Sequence, residues 1–225
     1  MDRQDISKII QKYEAKQHVF KEFLVGVLTF FSENPNLNQK HFGIIHSIKS
    51  RMKDPEHLQD KIERKNLKGP IITVDNLFEK ITDLIGVRIL HLYQEQFKEI
   101  HSAINQKIAD GDWIFVEEPK ALTWDPESKL FYENLGIKTE VRDTYYTSIH
   151  YIVKPNNPKA YVCCEIQVRT LFEEIWGEID HAINYPHSTE SIACKEQLKV
   201  MTKLVSTGTR LADSIFRSHQ EYLTK

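Results

Sequence analysis

One short run constrains the fold more than any other part of the 225-residue chain. It is Cys164-Glu165-Ile166-Gln167-Val168-Arg169 passing straight into Thr170-Leu171-Phe172-Glu173. Strand alternation puts Glu165, Gln167 and Arg169 on one face and Cys164, Ile166 and Val168 on the other. Thr170-x-x-Glu173 is a capping box, and it opens a helix with Leu171, Phe172, Ile175, Trp176, Ile179 and Ile183 on one face. A half-polar strand feeding an amphipathic helix requires a layered structure in which sheet and helix cover one another.

The flanking sequence extends this pattern. Apolar residues from Ile6 to Phe31 recur at three- and four-residue steps, an amphipathic helix ended by Asn34-Pro35. A second helical stretch is expected from about Gln39 to Lys65, interrupted at Asp54-Pro55, where proline suits the first turn of a new helix. Leu84 to Leu90 reads as a buried strand, followed by a polar helix from about Gln94 to Asp110 and a strand at Trp113 to Val116. Thr147 to Val153 and Tyr161 to Val168 are two more strands, separated by the turn residues Lys154-Pro155-Asn156-Asn157-Pro158. A last helix spans about Glu190 to Tyr222. Between Pro119 and Asp143 only a short strand near Ile137 to Val141 is read. The expected fold class is α/β (α+β) with a mixed β-sheet: an N-terminal helical segment over residues 1–40, a core over 41–186 and a C-terminal helix over 187–225.

A net charge of −2 gives no global attraction to nucleic acid or anionic membrane, so any polyanion site must be a local cluster of Lys and Arg. Three cysteines, with Cys163 and Cys164 adjacent, provide neither a disulfide framework nor a CxxC zinc pair. The start Met1-Asp2-Arg3-Gln4-Asp5 lacks the pattern of a signal peptide, and the apolar stretch around Phe23 to Phe31 is too short to span a bilayer. A cytoplasmic location without membrane association is therefore expected.

Three clusters carry chemistry. Arg51-x-Lys53, with Lys61, Arg64 and Lys65 on the following helix, is a group able to face a triphosphate, although charge runs are more often a solvated face. Asp83, at the mouth of a buried strand, is well placed to hold Mg²⁺, and Arg88 within that strand needs a partner, whether nucleotide or structural carboxylate. The Glu165, Gln167, Arg169 row is either a site floor or the solvent side of an antiparallel sheet. A hairpin would bring Ser148 and His150 beside it, with Tyr146 just before them.

In order along the chain, Arg51-x-Lys53 with Lys61, Asp83-x-x-Gly86-Val87-Arg88, Tyr146-x-Ser148-x-His150 and Glu165-Ile166-Gln167-Val168-Arg169-Thr170 resemble the motifs of RelA/SpoT-type (p)ppGpp synthetases. Trp176-Gly177-Glu178-Ile179-Asp180-His181 is similar to the helix that follows in small stand-alone members. The resemblance covers roughly Ile44 to Pro186 and implies a nucleotidyltransferase-like synthetase domain flanked by N- and C-terminal helices. The implied activity is a GTP pyrophosphokinase reaction: the β,γ-pyrophosphate of ATP passes to the 3′-hydroxyl of GDP or GTP, giving AMP and an alarmone of the stringent response. It further implies that Arg51 and Arg88 sandwich adenine, and that Lys53, Lys61 and Arg64 grip the ATP phosphates. Asp83 would hold Mg²⁺, and Glu165 would share that ion or act as base. Tyr146, Ser148, His150, Gln167 and Arg169 would bind the acceptor, with Tyr146 stacked on its base.

Departures from the family pattern fall on the acceptor side. Thr144-Tyr145 replaces the usual Asn-Gly, Thr147 the usual Gln or Arg, and Ala182 a common lysine. The basic loop that grips the guanine nucleotide is not recognisable around Trp124 to Gly136, and no His-Asp pair marks a hydrolase domain. A toxic small synthetase acting on the 3′ end of tRNA, or on an adenine nucleotide, is therefore a competing expectation, with an antitoxin or immunity partner and a homo-oligomer both open. So is a non-catalytic nucleotide-binding relative, against which the retention of Asp83 and Glu165 speaks. On the last helix Lys195, Lys199, Lys203, Arg210 and Arg217 fall within about 80° on a helical wheel, interrupted by Asp213 and opposite Leu198, Met201, Leu204, Val205, Leu211, Ile215 and Phe216. That stripe is a solvated face or an RNA track.

Overall fold

The computed structural model describes residues 3–39, 43–141, 145–185 and 187–224. Helix α1 (Arg3–Glu33) precedes strand β1 (Ser47–Met52), helix α2 (Pro55–Asn66), the single turn α3 (Leu77–Lys80) and strand β2 (Ile85–His91). A 3₁₀ turn (Gln94–Gln96) leads into α4 (Phe97–Ala109), then β3 (Trp113–Phe115), β4 (Lys120–Thr123), α5 (Pro126–Asn134) and β5 (Lys138–Val141). Strands β6 (Ser148–Pro155) and β7 (Cys164–Thr170) precede α6 (Leu171–Asn184) and α7 (Ile192–Leu223).

The sheet has seven strands in the order β1-β2-β7-β6-β4-β5, with β3 also paired to β6. β2 runs parallel to β7, β4 runs parallel to β5, and the other pairs are antiparallel. The sheet is therefore mixed, as expected. β7 and β6 are its centre, and β2, between β1 and β7, reads as an apolar run because both its faces are covered. One face carries Val87, Ile89, Ile149, Tyr151, Val153, Ile166 and Val168 into a core shared with Tyr13, Phe20, Val27 and Phe31 of α1 and with Phe97, Ile100 and Ile104 of α4. The N-terminal segment is thus built into the same core as the sheet. The other face carries the charged residues.

Three local expectations are met by the physics that suggested them. Pro55 opens α2, capped by Asp54, whose Oδ1 accepts from the Glu56 amide at 2.8 Å. Thr170 caps α6 with both reciprocal bonds of the box: Thr170 N to Glu173 Oε2 at 2.7 Å and Glu173 N to Thr170 Oγ1 at 3.2 Å. β6 and β7 form the antiparallel pair, with His150 opposite Gln167.

Other expectations are overturned. Directly before Asp54 the described residues from 43 onward are not helical, and residues 47–52 form β1 on the sheet edge; residues 40–42 of the expected helix lie outside the described residues. The three- and four-residue apolar spacing of this stretch mimics a helix, but β2 offers an unpaired edge, and flanking bonds (His46 N to Leu90 O, 2.8 Å; Lys53 N to Leu84 O, 2.7 Å) complete the ladder. β7 starts at Cys164, three residues later than expected. The unread stretch holds β4 and α5 besides the expected β5; residues 142 and 143 lie outside the described residues.

The inner face of α7 also differs from the wheel. Leu198, Thr202, Thr209 and Asp213 are buried, while Leu204, Leu211 and Ile215 are exposed. The buried surface is polar because it meets polar partners: Thr209 stands against Thr170, and Asp213 Oδ1 accepts from the Glu95 amide at 2.9 Å. Asp213 therefore does not interrupt the basic stripe but faces inward. Within the stripe, Arg210 pairs with Asp125 (2.7 Å) and Lys199 with Glu196 (2.5 Å).

Candidate active site

The antiparallel and parallel registers fix which side chains share the polar face. Arg51 stands opposite Gly86 and Lys49 opposite Arg88; Gly86 stands opposite Glu165 and Arg88 opposite Gln167; His150 stands opposite Gln167. Strands β1, β2, β7 and β6 thus bring Arg51, Arg88, Glu165, Gln167 and His150 into one row. A Cβ at Gly86 would lie 3.5 Å from Arg51 Nε, so glycine leaves space beneath that guanidinium. The hollow there measures about 200 Å³ and is lined by Lys49, Arg51, Gly86, Arg88, Glu165 and Gln167.

At the ends of these strands Asp83 receives two lysines on one oxygen: Lys61 at 2.6 Å and Lys53 at 3.0 Å, both on Oδ2. Its Oδ1 is buried with no hydrogen-bond partner among the described residues. Burial pushes the Asp83 carboxyl up, but Lys61 and Lys53 together outweigh it and hold the group below the ordinary aspartate range. Burial, joined by the charges of Lys61 and Arg51, lowers Lys53 despite the pull of Asp83. Lys53 is held in place from the far side of the core, where Tyr13 Oη donates to its carbonyl at 2.8 Å. Arg64 is apart from this group. It lines, with Lys61, Lys65, Lys68 and Lys80, an open groove of about 490 Å³ at the outer side of α2.

Glu165 is the hub of the other half. His150 Nδ1 lies 3.1 Å from its Oε1, Gln167 Nε2 donates to its Oε2 at 3.0 Å, and Arg51 Nη2 stands 3.8 Å away. An ionised carboxylate only accepts, so Nδ1 carries the hydrogen and His150 Nε2 faces the Tyr146 hydroxyl, 3.4 Å away, as acceptor. Burial pushes Glu165 up and Asp83 adds to that, yet the His150 hydrogen bond and the Arg51 charge leave it below the ordinary glutamate range. It is therefore ionised at neutral pH.

Arg169 does not open into the hollow. It is buried, donates from Nη2 to Tyr146 Oη at 2.5 Å and to Gln167 Oε1 at 3.1 Å, and its guanidinium stands 4.9 Å from the Tyr146 ring centroid. Its place is behind Tyr146. Ser148 is fully buried, and its Oγ makes no hydrogen bond among the described residues. Arg88, whose partner was left open, binds carboxylates: Nη1 lies 2.9 Å from Glu174 and 3.2 Å from Glu178.

Sequence reasoning did not single out Lys49 or Glu174. Lys49 was hidden by the helical reading of β1. Glu174 and Glu178 are one turn apart on α6, and that spacing was the available signal. Beside them, Arg88, Tyr146, Gln167, Arg169, Asp180 and His181 border a second cavity of about 460 Å³. No group of three or more His, Cys, Asp or Glu is placed to hold a metal, and no helix is long and apolar enough to cross a membrane, among the described residues.

Comparisons with known proteins bear on the family and the fold. The bacterial protein GTP pyrophosphokinase YwaC of Bacillus subtilis is 26% identical over 193 residues, covering 80% of this chain and 79% of that protein. The crystal structure of small alarmone synthetase 1 from B. subtilis superposes with a TM-score of 0.67 at 18% identity, covering 93% of this chain and 96% of that one. The same synthetase bound to its product pppGpp gives a TM-score of 0.67 at 19% identity, covering 92% and 96%. Residues 50–190 match the model of the region found in RelA / SpoT proteins, a span that runs from the second half of β1 through α6, and the chain belongs to the RelA/SpoT family.

Proposed function

We propose that the protein is a pyrophosphotransferase that moves the β,γ-pyrophosphate of ATP to the 3′-hydroxyl of GDP or GTP. The observation that carries this reading is a pair of carboxylates near enough for the charge of one to act on the other: Glu165 lines the hollow, and Asp83 stands at the ends of the strands that form it. Asp83 keeps a buried, unpartnered Oδ1, and Glu165 is ionised and oriented by His150. A non-catalytic binder has no use for both. The names of the family relatives support the guanine acceptor.

Mg²⁺ fits these residues, since it is commonly held by one or two carboxylates plus substrate phosphates. Asp83 Oδ1 and Glu165 would hold it, and the ion would neutralise charge on the phosphates. The remaining work falls to side chains of the chain itself. Arg51 and Arg88 flank the hollow over Gly86 and take the adenine between their planar groups. Lys53 and Lys61 grip the phosphates, and Arg64 takes their outer end. Tyr146 stacks on the acceptor base, His150 and Gln167 fix Glu165, and Arg169 holds Tyr146 in place. Glu165 accepts the proton of the 3′-hydroxyl as its oxygen bonds to the β-phosphorus, and the bond from that phosphorus to the bridging oxygen of AMP breaks. Positioning and charge neutralisation supply most of the rate.

A second reading has an observation of its own. The acceptor cavity is bordered by Glu178 and Asp180, and both its arginines, Arg88 and Arg169, are engaged by Glu174. Such a wall favours an acceptor with little 5′-phosphate charge, such as the 3′ end of tRNA. Incubation of the protein with labelled ATP and a panel of GDP, GTP, ATP and tRNA tests both. Labelled pppGpp or ppGpp with stoichiometric AMP is the expected result; label only on tRNA would replace the first reading by the second.

A further inference from the structure

The two half-sites meet on a residue that belongs to neither. Glu174 on α6 is buried, and three cations reach it from three strands. Lys49 Nζ of β1 lies at 2.7 Å, Arg88 Nη1 of β2 at 2.9 and 3.1 Å, and Arg169 Nη1 of β7 at 3.3 Å. Burial pushes the Glu174 carboxyl up, but Lys49 and Arg88 hold it below the ordinary range, so it stays charged. Glu178 takes only the solvent side, at 3.5 Å from Lys49 and 3.2 Å from Arg88.

The consequence is positional. Arg88 is tied along its edge, Nη1 to Glu174 and Nε to Gln167 Oε1 at 3.3 Å, which orients the guanidinium plane and leaves its faces for a base. Arg169 is tied by Nη1 to the same carboxylate and by Nη2 to Tyr146. Gln167 Oε1 accepts from both arginines and its Nε2 donates to Glu165, so the contacts close a ring through donor side, acceptor side and base. α6 does not need this carboxylate to stay docked. Its start is fixed by the Thr170 box, and its Trp176 Nε1 donates to Leu198 O at 3.3 Å. α6 also approaches Arg169 so closely that a Cβ at Gly177 would lie 2.9 Å from Nη1.

We propose that Glu174 is a positioning residue that holds Arg88 of the donor side and the Arg169–Tyr146 pair of the acceptor side in one register, so that each bound nucleotide favours the other. The inference rests on the pyrophosphotransferase reading. It deepens that reading by assigning a coupling between its two substrates.

The test uses the full chain, a non-hydrolysable ATP analogue and GDP, with affinities measured singly and together beside steady-state kinetics. In the parent, each nucleotide should tighten the other about fivefold or more, and by the same factor. Glu174→Asp keeps the charge and the fold but retracts the carboxylate by one methylene. It should bring the coupling close to one and raise the KM for ATP about tenfold, while kcat changes less than about threefold. Glu174→Gln, which keeps the length and loses the charge, should give the same pattern if the shorter side chain does not fold. In an Arg88→Ala background Glu174→Asp should add nothing further to the KM for ATP; a mere brace of the fold would add its full effect. Absent coupling in the parent, parent-like coupling in Glu174→Asp, or additivity with Arg88→Ala would each overturn the proposal while leaving the activity in place. A parent that releases no AMP and binds no ATP would remove the functional reading and this inference with it.

Discussion

The donor and acceptor halves of the site are built on opposite plans. On the donor side Arg51 is more than half exposed, Lys61 and Lys65 crowd one turn of α2, and Asp83 retains an unpartnered oxygen. Lys65 is lowered first by burial and then by Lys61. Like charges held together without full compensation are costly until an anion arrives, so this half is assembled for a polyphosphate. On the acceptor side Tyr146, His150, Gln167 and Arg169 are joined, through Glu165, in a closed set of hydrogen bonds, while Arg169 Nε has no partner among the described residues. That half is already ordered before any ligand binds. On the proposed donor side Arg51 stands largely in the open while Arg88 is already tied to Glu174 and Gln167, and the proposed acceptor side is held by contacts within the fold.

The largest expected effect tests the two carboxylates at the seam. Glu165→Gln and Asp83→Asn should each lower AMP release by about a hundredfold or more, near 2.7 kcal/mol of barrier. Melting transitions should stay within a few degrees of the parent. A variant retaining a tenth of the activity would show that its carboxylate is not part of the chemistry.

Next in size, Arg51→Ala and Arg88→Ala should raise the KM for ATP about tenfold, about 1.4 kcal/mol; Arg51→Ala should leave that for the acceptor nearly unchanged, and Arg88→Ala should raise it by no more than the coupling factor of about fivefold. Lysine at either place should rescue poorly because it lacks the planar group. The reverse pattern would mean that donor and acceptor sides have been exchanged.

A smaller effect is expected from the α7 stripe. Lys195→Glu, Lys199→Glu and Lys203→Glu combined should leave activity toward GDP within about twofold, with little salt dependence. A tRNA acceptor would instead show a steep loss of affinity as salt rises, since counterions are released along a phosphate track.

The smallest effect concerns pH and has one sign for Asp83 and Glu165 and the opposite sign for Glu173. Asp83 and Glu165 lie below their ordinary values, so the stability they contribute is present above the ordinary carboxylate range and is lost as the solution is acidified through their folded values. Glu173, beside the acceptor half, is lifted by loss of water to about 7 despite its bonds to Thr170. Its contribution is full below the unfolded glutamate value and is lost as pH rises toward 7. Glu173→Gln keeps the capping box and should flatten the decline in melting temperature between pH 5 and pH 7, following the shift to about 7. An unchanged pH profile would show that Glu173 is not the group responsible.

Much of the fold was legible where one element decides its own shape. The alternation of Glu165, Gln167 and Arg169, the Thr170 box and Pro55 at a helix start are local facts, and each is found as read. β1 was not legible because Ile44, Ile45, Ile48 and Met52 repeat at steps that suit a helix, and only the open edge of β2 selects a strand. The inner face of α7 was misjudged for a related reason. The wheel sorted residues by polarity, whereas the surface receiving the helix carries Thr170 and the amide of Glu95 and selects Thr209 and Asp213.

By itself the sequence determined that Glu165, Gln167 and Arg169 share one strand face and where α2 and α6 begin, because strand alternation and helix caps act over a few residues. Tertiary structure alone decided what those side chains do to one another. Lys49 and Glu174 meet across 125 positions and Arg88 and Glu174 across 86, contacts set by the parallel pairing of β2 with β7 and by the docking of α6. No spacing along the chain encodes a separation of that length; it follows from burying the apolar face of the sheet, which leaves the charged face to find its partners across strands.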